Sequence, residues 1–327
     1  MTAIRAYQLT EHDGRSIGRL ENVELDQLGA GEVLMRTTYA GVNFKDALAG
    51  TGRAPIVKRF PCIGGIEAVG VVESSSADAY RPGDQVIVHG RGLGVDHDGG
   101  FAEYVRVPAD WIVPIPPGLD MFETACLGVA GHTAAVAIDL MELNGLRPES
   151  GPVVVTGASG GVASLSIDML AVAGYAVTAV SRRPENSDYL RKLGAQHVIP
   201  PPEQDARIKP LDTAEWAGAV DAAGGHVLAW VLSRMIPNGT VAAFGNAAGV
   251  RVNTTVMPFI LRGVRLLGVN ANTEPDLRRR LWNRLGSDLK PRHLTDISTP
   301  IGLTDLPDLL EQMADGQTRG RYVVCFE

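Results

Sequence analysis

The chain has 327 residues, 45% of them apolar and 20% charged, with a formal net charge of −7. That length exceeds what one compact core holds and predicts two domains. The acidic balance argues against a nucleic-acid binder, which would show a basic face, and apolar runs broken by Gly, Pro or charge leave no plausible membrane span.

The opening Met1-Thr-Ala-Ile-Arg-Ala-Tyr enters a strand-like pattern without a signal-peptide core. Cys62, Cys126 and Cys325 are scattered and odd in number. They suit neither a disulfide framework nor a thiolate zinc site, so the chain reads as cytoplasmic. The first 115 or so residues read as β-rich. Strand patterns run from Glu32 to Tyr39, Ala68 to Glu73, Gln85 to His89 and Phe101 to Arg106, between Gly-rich turns. Met121 to Leu143 then carries small and apolar residues at helical spacing, closed by Asn144-Gly145.

From Val153 the chain alternates strand and helix, with strands expected at Val153–Thr156, Ala176–Val180, His197–Ile199, Gly218–Asp221, Thr240–Ala243 and Val264–Gly268. Such alternation predicts a doubly wound parallel sheet with right-handed crossovers, covered by helices on both faces. The first strand runs into Thr156-Gly157-Ala-Ser159-Gly160-Gly161-Val162-Ala163 and a helix ended by Gly174. Gly157 permits the tight turn, Gly160 lets backbone approach a pyrophosphate, and Ala163 keeps helix and sheet close. The helix that follows points its N-terminal amides and the positive end of its dipole at an anion, which makes Ser159, Gly160, Gly161 and Val162 cofactor-binding candidates. The second strand ends in Ser181-Arg182-Arg183, where an NAD site would carry Asp or Glu for the ribose. A hydroxyl and two guanidiniums suit a 2′-phosphate, which predicts NADPH; the alternative is a solvated loop. Phe244, Gly245 and Asn246 follow the fifth strand, and Val269 and Asn270 the sixth. These are carboxyl-end positions, where open α/β sheets bind ligands.

Further on, Asp276 to Leu289 places Leu277, Leu281, Leu285 and Leu289 on one stripe. It reads as a packing helix with Arg278, Arg279 and Arg280 as surface charge. The closing Arg321-Tyr-Val-Val-Cys-Phe reads as a strand returning to the first domain. The expected division is therefore 1–120, completed by about 290–327, and 121–289, with the cleft between the two. No Tyr-x-x-x-Lys pair occurs, which sets aside the short-chain dehydrogenase class.

The segments Gly41-Val-Asn43-Phe-Lys45-Asp46, Gly65-Ile66-Glu67-Ala-Val-Gly70, Pro82-Gly83-Asp84-Gln-Val86, Gly99-Gly100-Phe-Ala-Glu-Tyr-Val and Thr255-Val-Met-Pro-Phe-Ile-Leu-Arg-Gly-Val-Arg-Leu-Leu-Gly268 together span almost the whole chain. Through them it resembles the medium-chain dehydrogenase/reductase superfamily, on the quinone-oxidoreductase-like branch that includes the NADPH-dependent acryloyl-CoA reductases. The resemblance implies a GroES-like β-barrel catalytic domain joined to a Rossmann domain, and zinc-independent reduction of the double bond of a short enoyl-CoA. The alternatives are a quinone or free-enone reductase and a non-catalytic NADPH-binding protein. Ile66 stands where zinc-dependent members carry a ligand His, and isoleucine cannot bind a metal. His89, His97 and His132 read as structural or solvated.

The resemblance further implies catalytic roles at Asn43 and Asp46, and cofactor contacts at Phe44, Thr133 and Arg321. For Asn43 the alternative is a helix cap, and for Thr133 a bond back to its own helix. Lys45 and Asp46 are expected to form a local ion pair. Arg53 and Arg91 are candidate hosts for the phosphates of an acyl-CoA, with Lys58 and Arg59 as weaker ones. The strand near Val264–Val269 resembles one that pairs across a twofold axis, and an exposed sheet edge favours a homodimer.

Overall fold

The computed structural model describes residues 2–326. They divide into two units. The first comprises residues 2–130, 272–283 and 294–326, and the second residues 131–271 and 284–293.

The first unit is built on β-structure. Strands Ala3–His12 and Arg15–Glu24 form an antiparallel hairpin through the turn at Asp13 and Gly14, and Cys62–Ile63 adds a short third strand. A seven-stranded mixed sheet runs in the order Ser298–Gly302, Arg321–Cys325, Val33–Val42, Glu67–Ser75, Gln85–His89, Ile112–Pro114, with Tyr104–Val107 also paired to Val33–Val42. Alternation buries one face of these strands: Val33, Met35, Ala68, Val72, Val86, Val88, Val105 and Val107 form one core. The last strand pairs antiparallel with Val33–Val42, setting Tyr322 opposite Val42. Arg321, one residue earlier, thereby arrives beside the start of helix Phe44–Gly50.

The second unit is a six-stranded parallel sheet ordered Ala195–Ile199, Val177–Val180, Val153–Val155, Trp216–Asp221, Met235–Ala243, Arg265–Gly268. All six expected strands are present, in the 3-2-1-4-5-6 order of dinucleotide-binding folds. Val177–Val180, Val153–Val155 and Trp216–Asp221 are buried along their whole length, as strands covered by helices must be. Arg265–Gly268 is an edge strand and largely exposed.

Met121–Leu143 forms as expected, with non-helical backbone at Gly128 (φ 48°, ψ −148°). It is the one described helix long and apolar enough to cross a membrane, and 89% of its most apolar window is buried inside the protein, as in a core helix. The arginine-rich helix corrects the sequence reading. It spans Pro275–Leu285, with Leu281, Trp282 and Leu285 buried, but Arg278 is only 3% exposed and lies on the inward face. The leucine stripe and Arg278 share that face because positions three and four apart coincide on a helix.

Candidate active site

Within the first unit, a buried polar cluster gathers where strand Val33–Val42 meets helix Phe44–Gly50. Glu67 opens the strand Glu67–Ser75 and is fully buried, so its charge needs a partner. Arg321 supplies it: Nη2 donates to Glu67 Oε1 at 2.7 Å, with both side chains nearly inaccessible. Glu67 Oε2 accepts from Asn43 Nδ2 at 3.1 Å and from the Val129 amide at 2.6 Å. The break at Gly128 frees that amide from helical bonding. A Cβ on Gly128 or on Gly41 would overlap the Glu67 carboxylate, so the acid demands glycine on both neighbours.

The rest of the Arg321 fork is also occupied. Nη1 donates to Val42 O at 3.0 Å and Asn43 Oδ1 at 2.8 Å, Nε to Cys126 O at 3.1 Å, and Nη2 also to Ala125 O at 3.4 Å. All five N–H groups of the guanidinium are spent on protein acceptors. The cofactor contact expected of Arg321 is therefore replaced by a structural one.

Asn43 is likewise held at both ends, its Nδ2 also donating to Gly41 O at 3.3 Å. Asp46 is fully buried, its Oδ2 accepting from the Asn43 amide at 2.8 Å and its Oδ1 from the Ile66 amide at 3.0 Å. Burial, then the nearby Glu67 charge, pushes its carboxyl up to about 7 despite these bonds. The expected Lys45–Asp46 pair does not form. Neighbours in a helix point apart, leaving Lys45 exposed and Asp46 inside. As placed, Asn43 and Asp46 shape the segment and present no free donor to a ligand. Phe44 between them is 47% exposed.

Of the basic candidates, Arg53 donates to Asp315 at 2.6 Å and Glu311 at 3.0 Å, and Arg59 pairs with Asp98 at 3.1 Å. Neither charge is available to a phosphate without displacing a carboxylate. Arg91 has no carboxylate partner among the described residues.

In the second unit the expected nucleotide residues follow the carboxyl ends of strands Val153–Val155, Val177–Val180, Met235–Ala243 and Arg265–Gly268. Gly157 follows strand Val153–Val155 with φ +59°, and helix Gly161–Val172 starts from Gly160 with no side-chain cap and no acid in its first turn. Its first amides thus keep their donors for a ligand. A Cβ on Gly160 would meet only Gly157 O, at 3.3 Å. Protein packing leaves room there, so the glycine opens a cradle. Ser159, Gly161 and Val162 are half-buried beside it.

On the adjacent strand Ser181 exchanges hydrogen bonds with the Arg183 backbone, forming a turn at 3.2 Å. Arg182 is exposed and Arg183 half-buried. Phe244 and Gly245 donate their amides to Asp221 O, and Val269 donates to Ala243 O. Asn246 and Asn270 are exposed, and Thr133 is buried in its helix.

Sequence reasoning missed two groups. One is Glu67, an acid inside an apolar strand that required a buried cation. The other is the Thr156–Asp221 pair, where Thr156 Oγ1 donates to Asp221 Oδ1 at 2.6 Å and accepts the Ala222 and Ala223 amides. Asp221 Oδ2 accepts the Gly224 amide, and burial raises its carboxyl. This pair clamps the ends of the two central strands, where the strand order reverses.

Comparison with known proteins supplies a lineage. Residues 29–117 match the alcohol dehydrogenase GroES-like domain model, and residues 161–286 match the zinc-binding dehydrogenase model. The chain is 42% identical over 316 residues to the acrylyl-CoA reductase AcuI of Ruegeria pomeroyi, covering 96% of each chain. It is 40% identical over 326 residues to the putative quinone oxidoreductase YhfP of Bacillus subtilis, covering 99% of each. Among solved structures, the yhdH oxidoreductase of Salmonella enterica in complex with NADP superposes with a TM-score of 0.95 at 41% identity, covering 99% of this chain and 100% of that one.

Proposed function

The chain belongs to the medium-chain dehydrogenase/reductase superfamily, in its acryloyl-CoA-reductase-like group, and from that premise we propose that it is an NADPH-dependent oxidoreductase that reduces the α,β-double bond of a short enoyl-CoA such as acryloyl-CoA. One observation carries the reading. An uncapped helix start at Gly160–Val162 stands beside a strand ending in Ser181-Arg182-Arg183, in a chain 42% identical to an acrylyl-CoA reductase.

The residues present fit the coenzyme. The first-turn amides of helix Gly161–Val172 take a pyrophosphate, and Gly160 lets it come close. Arg182 and Arg183 take the 2′-phosphate over the Ser181 turn. Phe244, Gly245, Asn246, Val269 and Asn270 follow the carboxyl ends of two strands of the same sheet. When bound, NADPH supplies a hydride to the β-carbon, and a proton adds at the α-carbon to give the saturated thioester. Asn43 and Asp46 serve as positioning residues: with Glu67 and Arg321 they lock the Val42–Phe44 corner, which leaves Phe44 outward. Two observations support zinc independence: Ile66 stands where a ligand His would be, and both Glu67 oxygens are engaged within the protein. The exposed edge strand Arg265–Gly268 and the exposed Val256, Met257, Ile260, Leu261 and Leu266 nearby support a homodimer, and the three scattered cysteines a cytoplasmic location.

Oxidation of NADPH, with NADH as control, is to be followed with acryloyl-CoA, crotonyl-CoA and a benzoquinone. The enoyl-CoA esters should turn over best with NADPH, and Arg182→Ala should raise the NADPH KM about tenfold or more while leaving the NADH value unchanged. Turnover of the quinone alone would replace the enoyl-CoA reading with the activity named for the Bacillus subtilis relative.

A further inference from the structure

Arg91, already a candidate host for an acyl-CoA phosphate, shares its corner of the first unit with a second arginine, Arg278. Arg278 and Trp282 lie one turn apart on helix Pro275–Leu285 and both reach the last residue of strand Gln85–His89. Arg278 Nη1 donates to His89 O at 3.1 Å, and Trp282 Nε1 donates to His89 Nε2 at 3.0 Å. Arg278 Nε and Nη2 are buried and meet no acceptor. Arg91 sends its amide to Asn272 Oδ1 and its Nη2 to Thr273 O, each at 3.2 Å, and its own buried Nε is likewise unmatched. Neither guanidinium pairs with a carboxylate among the described residues. Asp276, on the same helix, is taken by Arg279 instead.

This contrasts with the other arginines that anchor the fold. Arg321 is saturated, and Arg284 binds Asp139, Glu142 and Asp288. Two like charges with three unmatched donor nitrogens are costly to bury, and no carboxylate among the described residues pairs with them. Burial and the Arg91 charge lower the Arg278 guanidinium to about 10, so it is still cationic at neutral pH. The backbone is bent to make the arrangement. Arg91 adopts φ +56°, and a Cβ on Gly90 (φ +69°) would overlap Asn272 Oδ1.

We propose that Arg91 and Arg278 form a two-arginine seat for a phosphate-type oxyanion supplied by a ligand. Paired guanidiniums present planar, charge-assisted donors matched to such an anion, whereas a packing role would be served as well by Leu or Met. Two sources share this chemistry: a phosphate on the nucleotide handle of a coenzyme A thioester, and free inorganic phosphate. Only the first rests on the enoyl-CoA reading; the seat itself does not.

Thermal unfolding of the full chain in potassium phosphate, against chloride of equal ionic strength, tests the seat. The wild type should gain about 5 °C or more at saturating phosphate. Arg278→Met should lose most of that gain while unfolding no earlier than wild type in chloride, because an apolar replacement removes a dry charge. Arg91→Gln, at a less buried side chain, should lose the same gain if the Met variant folds poorly. Subtracting variant from wild type cancels phosphate held at the nucleotide turn. In a second arm, coenzyme A binding about tenfold tighter than 3′-dephospho-coenzyme A, and only with Arg278 present, identifies the thioester handle as the source. Equal binding of the two, with the phosphate gain intact, identifies free phosphate. An identical gain in wild type and both variants, or none in any of them, overturns the proposal. These readouts need no turnover, so a failure of the enoyl-CoA assay leaves them unaffected.

Discussion

Arg321 and Glu67 show how one buried charge dictates its surroundings. The acid requires the guanidinium, the guanidinium requires Asn43 and three backbone carbonyls, and the carboxylate excludes a side chain at Gly41 and Gly128. Removing one partner strands the other, so Arg321→Met should cost about 3–5 kcal/mol in chemical denaturation. Exchange of both, Arg321→Met with Glu67→Leu, should cost less than the single change, and a double-mutant cycle measures that coupling. Asp46 makes a different demand. Its native carboxyl titrates near 7, against about 3.9 in the unfolded chain. Between those values the native state holds a proton that the unfolded chain has released. This contribution to stability is thus complete below about pH 4 and is lost as pH rises toward 7. Stability measured at pH 5, 6 and 7 should fall by up to about 1.4 kcal/mol per unit more in the wild type than in Asp46→Asn. Parallel slopes would show that Asp46 is ionised throughout.

The helix Gly161–Val172 joins sequence to ligand most directly. Its start lacks a cap, and a Cβ on its Gly160 would press only on Gly157 O, at 3.3 Å. Gly160→Val should therefore leave the unfolding temperature within about 2 °C of wild type and weaken NADPH binding at least tenfold by titration. Loss of stability without loss of binding would make the glycine a folding residue. This element was legible in the sequence because its signals are local: a buried strand, a glycine turn and a helical run in succession. The six parallel strands were legible for the same reason. The clusters were not, because they join residues far apart in the chain. Glu67 and Arg321 are separated by 254 positions. Arg278 looked like surface charge because three consecutive arginines hide which of them shares the leucine face. Asn43, Asp46 and Arg321 were expected at the site one by one, but the hydrogen bonds that join them were not readable from residue type.

For the whole molecule, the exposed apolar band Val256, Met257, Ile260, Leu261 and Leu266 adjoins an unpaired sheet edge. Soluble chains seldom leave such a band uncovered. Ile260→Asp with Leu266→Asp should convert a dimer to a monomer in light scattering after size-exclusion chromatography; a monomeric wild type would assign the band elsewhere. Two family models and near-full-length likeness to reductases place the lineage, and the reaction itself is testable at the atom that changes. The decisive measurement is mass spectrometry of the thioester formed from acryloyl-CoA and NADPH carrying deuterium at the transferring C4 position. The account predicts propionyl-CoA with one deuterium at the β-carbon and a solvent-derived proton at the α-carbon. Unchanged acryloyl-CoA, or propionyl-CoA without that deuterium, would contradict it.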